Sequence, residues 1–62
     1  MTIDERAIEA AMLIQVLEEE QQSIAALRKL LLNGTITVEE HTTIFARLQE
    51  SVRITAAQLA EL

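Results

Sequence analysis

The stretch that decides the fold is KLLLNGTITVEEH, residues 29–41. An Asn-Gly pair between Leu-Leu-Leu and Thr-Ile-Thr-Val is the strongest short signal for a tight β-hairpin. The same letters also spell a helix that stops on glycine and a second that starts on threonine. A β-hairpin requires alternation of period two on both flanks. LRKLLL does not alternate, and TITV alternates for only four residues. A helical period, by contrast, runs through the chain on either side.

Counting heptads from Ile3 as position a, the a series is Ile3, Ala10, Leu17, Ile24 and Leu31, all apolar. The d series, Arg6, Leu13, Glu20 and Leu27, is half polar. After the turn, Val38, Phe45, Val52 and Leu59 occupy a, and His41, Leu48, Thr55 and Leu62 occupy d. Thr2 with Glu5, and Thr37 with Glu40, have the spacing of a capping box. Gly34 supplies the left-handed residue that ends a helix. The expected fold is therefore all-α, with helix 1 over about 3–32, a turn at 33–37 and helix 2 over about 38–61. So short a link sets the helices antiparallel. The hairpin seam then places Leu31 opposite Val38, Ile24 opposite Phe45, Leu17 opposite Val52 and Ala10 opposite Leu59. Every one of these pairs is apolar.

A chain of 62 residues holds one small domain. Below roughly 70 residues a single core seldom supplies more than ~3–5 kcal/mol, so such chains lean on disulfides, metals or association. No cysteine is present, and a single histidine makes a poor metal site. Association remains. Half of the residues are hydrophobic, and that surplus exceeds one seam. Ile8, Met12, Ile14, Val16, Leu30, Ile44 and Ile54 fall outside it and form the candidate interface. The expected assembly is a homodimeric four-helix bundle, with another helical protein as the alternative partner.

Glu20 interrupts the seam inside EEEQQS, residues 18–23. It is expected to turn outward to water; the alternative is a polar layer that fixes register. His41 lies on the seam in the first turn of helix 2. It is read as a half-buried packing residue, with a pH-sensitive role as the functional alternative.

The net charge of −5 and five scattered cations argue against nucleic acid and anionic membranes. VEEHTTIF would be the base-reading turn of a helix-turn-helix, and it offers two acids and no cation. A small dimeric nucleic-acid-binding regulator is kept only as an alternative. The longest apolar stretch, AAMLIQVL, is about eight residues where a span requires ~20. MTIDERAIEA lacks a basic leader, so a cytoplasmic location is expected. No phosphate loop, nucleophile–base pair or ligand cluster is present, so no enzyme activity and no cofactor are expected. NGT at Asn33 matches a glycosylation sequon, but the cap explains it.

Two resemblances add to this. LRKLLLNGTITVEEHTTIFARL resembles the short C-terminal helical hairpins of the SHOCT type, through Leu31, Gly34, Ile36, Thr37, Glu39 and Glu40. In size and layout the whole chain is similar to the small helical-hairpin co-chaperones of type III secretion needle subunits. That similarity implies a hairpin that pairs with a larger helical-repeat chaperone, and it carries over no functional residue.

Overall fold

The computed structural model describes residues 4–62, of which 86 % are helical. Helix α1 spans Glu5–Leu32 without a break through residues 18–23, and helix α2 spans Val38–Ala60. The two are packed against each other, and no strand occurs among the described residues.

Helix α1 begins later than the capping box at Thr2 implies. Asp4 is its N-cap, with extended backbone and a carboxylate that accepts from the Arg6 N–H at 3.0 Å. Glu5 therefore stands at the first helical position rather than the third. Aspartate caps as well as threonine does, and its charge suits the positive helix end. Thr2 itself lies outside the described residues.

The turn uses backbone groups that helix ends leave unpaired. Gly34 has φ +80°, and its N–H donates to the Leu31 carbonyl at 3.2 Å. The Thr35 N–H reaches back to the Leu30 carbonyl at 2.9 Å. Together these form a Schellman stop, which satisfies the last carbonyls of α1. Asn33 adds a carboxamide oxygen that accepts from the Thr35 N–H at 3.0 Å. Two residues later the reciprocal capping box opens α2. The Glu40 N–H donates to Thr37 Oγ1 at 3.1 Å, and the Thr37 N–H donates to Glu40 Oε1 at 3.0 Å.

Burial follows the heptads. Among the described residues Leu27 and Thr55 are buried, and Ala10, Leu13, Leu17, Ile24, Leu31, Phe45, Leu48, Val52 and Leu59 are half-buried between the helices. Two contacts tie the helices in register: Glu20 with Ser51, and Arg6 with the Leu62 carbonyl. Val38 departs from its seam assignment and is 67 % exposed. The Schellman stop folds the link back so that the Ile36 N–H faces the Leu30 carbonyl at 3.4 Å. Ile36 is half-buried there, and Val38 is left outside.

The Cα envelope measures 52 × 19 × 8 Å. Its smallest dimension is one helix thick, whereas domains ordinarily bury their apolar faces between two layers.

Candidate interaction surface

A single layer has two broad flanks, and the sequence makes them different. On one flank the seam residues stay open to the outside. Ile24, Leu31 and Phe45 line a groove of about 490 Å³ whose walls include Gln21, Ala25 and Arg28. Further along, Gln49, Val52 and Arg53 continue the same trough. The core of the hairpin is thus reachable from this side, which explains why so few of its side chains are fully buried.

The opposite flank carries more of the exposed large apolar side chains. Helical spacing collects Met12, Val16 and Leu30 from α1 with Ile44 and Ile54 from α2, and their exposures run from 38 to 63 %. Ile14 belongs to the groove flank, and Ile8 sits at the outer edge of α1; both are nearly half exposed. The candidate interface residues therefore do not form one patch. They divide between two flanks and an edge.

Glu20 does not turn outward. It is half-buried on the seam, and Ser51 Oγ donates to its Oε2. Its Oε1 is buried and meets no donor among the described residues. Thr55, one turn further along α2, satisfies its own hydroxyl by donating to the Ser51 carbonyl at 3.0 Å. Glu20 and Ser51 form a polar layer near the middle of a largely apolar seam. Burying a carboxylate there carries a desolvation cost that an apolar residue would avoid.

His41 is half-buried and stacked on Phe45, with ring centroids 5.7 Å apart and planes inclined by 12°. It closes the turn end of the groove as part of an aromatic pair. Among the described residues no group of three or more His, Asp or Glu side chains could hold a metal ion, and no helix is long and apolar enough to cross a membrane. The ion pair among them is Glu50 with Arg53, one turn apart on α2 and both exposed in the single chain. Its hydrogen bond, reinforced by the guanidinium charge, holds the Glu50 carboxyl below the ordinary carboxylate range and raises Arg53.

No protein-family model, no curated protein and no solved structure matches this chain. What defines it is its architecture: a capped two-helix hairpin, one layer thick, with an open apolar groove on one flank and large apolar side chains on the other.

Proposed function

We propose that this chain is a non-enzymatic protein–protein interaction module that completes its fold by pairing with a second copy, as a homodimeric four-helix bundle. The observation that carries this is the amount of surface left bare. The chain exposes 5057 Å². A compact chain of its mass exposes roughly 4,000 Å². The surplus of roughly 1,000 Å² is close to the roughly 800 Å² that each partner buries in a standard interface. The shape agrees, with a radius of gyration of 15.1 Å where about 10.6 Å is expected for a globule of this length. The mechanism is burial of apolar side chains that a single layer cannot cover.

Thermal unfolding followed by circular dichroism tests this. A chain whose folded form is a dimer melts at a temperature that rises with protein concentration. Across roughly a hundredfold range, mass action adds about 2.7 kcal/mol, which moves the midpoint by many degrees in a chain this small. A midpoint independent of concentration would remove the self-pairing.

A further inference from the structure

We infer that the second copy docks on the groove flank, with its α1 antiparallel to this α1 about a two-fold axis midway between Gln21 and Ala25. This rests on the self-pairing proposed above and names its face and register. On the groove flank, the outer stripe of α1 reads Ile14, Glu18, Gln21, Ala25, Arg28 and Leu32. Its spacing is alternately four and three, so the six residues share one side of the helix. Gln21, Ala25 and Arg28 line the groove itself.

The stripe is its own complement when reversed. Antiparallel pairing about that axis sets Ile14 against Leu32, Glu18 against Arg28 and Gln21 against Ala25. Apolar meets apolar at both ends, the charges are opposite, and a long side chain faces a short one near the axis. Leu32 is 79 % exposed and Ile14 is 45 % exposed in the single chain, so both have surface to bury. Neither Glu18 nor Arg28 takes part in an ion pair among the described residues. Ten residues separate them, so the two symmetric pairs lie ~15 Å apart and bracket the axis.

Helix α2 tolerates the same axis. Glu20 meets Ser51, so the level of the axis on α1 corresponds to about residue 48 on α2. There Ala46 faces Gln49 of the second copy and Thr42 faces its Arg53, with no like charges opposed. The α1 stripe of the other flank has no such symmetry. On α1 its stripe holds Glu5, Glu9 and Glu19 with no cation, so reversal sets no opposite charges together.

The test is a charge swap read by sedimentation equilibrium, with far-UV circular dichroism confirming that each variant stays helical. In an E18R homodimer two attractive pairs become Arg–Arg contacts, and in an R28E homodimer they become Glu–Glu contacts. Each single reversal is expected to raise the dimer dissociation constant about tenfold or more. An equimolar mixture of E18R and R28E re-creates both attractive pairs, as does the E18R/R28E double variant, and both are expected to return to wild-type association. A wild-type dimer unmoved by the single reversals, or a mixture no tighter than either variant alone, overturns this face and register while leaving the bundle standing. A wild-type chain that stays monomeric overturns both.

Discussion

The turn at Gly34 gives the sharpest single-residue prediction, because two rival folds predict opposite signs for it. Gly34 has φ +80°, and a Cβ added there would meet nothing within 4 Å. Replacing it with alanine therefore causes no clash, and the cost is purely conformational. An L-residue in the left-handed region costs roughly 1–2 kcal/mol. For a domain of about this length, 1 kcal/mol moves the unfolding midpoint by roughly 4–8 °C. Gly34→Ala should thus lower the midpoint by about 5–15 °C, measured by circular dichroism at one fixed protein concentration. Gly34→Asn should cost less, since asparagine tolerates that region, and Gly34→Val more, because it is β-branched. Were residues 33 and 34 instead inside one unbroken helix, the same Gly→Ala change would stabilise by about 1 kcal/mol. A raised midpoint for Gly34→Ala would refute the hairpin.

Three further predictions concern the seam and the surface. Leu27 is the most buried side chain, at 4 % exposure; Leu27→Ala should cost about 2–5 kcal/mol and leave the chain largely unfolded by circular dichroism at low micromolar concentration. Glu20→Leu replaces a half-buried carboxylate of which one oxygen meets no donor among the described residues, and should raise stability by about 1–2 kcal/mol in chemical denaturation, whereas a loss would mean that the polar layer contributes net stability. The depressed Glu50 carboxyl works in the usual acidic sense: its contribution is present above the unfolded-state pKa and is lost as pH falls through the folded value. Because the pair is fully exposed, Glu50→Gln should leave the melting midpoint at pH 7 nearly unchanged and flatten the acid limb of stability only slightly.

Most of the fold was legible because it rests on local chemistry. The apolar heptads selected the side chains that end up between the helices, from Leu17 and Ile24 to Phe45 and Val52. Gly34 and the Thr37–Glu40 box announced the turn once the helical period on both flanks had ruled against a β-hairpin. What escaped was decided by alternatives of similar energy or by three-dimensional placement. Asp4 and Thr2 are both competent caps two residues apart, and spacing alone does not choose between them. Heptad counting assigned Val38 to the seam, but the Schellman stop brings Ile36 over the helix end instead. An apolar residue two positions after the glycine was the available signal. Glu20 could be placed on the seam by counting, yet its inward turn depends on Ser51 lying opposite, which only register reveals. The division of the exposed apolar side chains between two flanks needed the pairing of both helices and could not be read from either one.

If one layer of two helices is half of a structure, the folded chain in solution is a dimer. Light scattering on the purified chain across micromolar to millimolar concentration reads that state as a mass. A helical species of twice the 6.9 kDa chain mass is expected. A folded, cooperatively melting particle of 6.9 kDa at the highest concentration would contradict it.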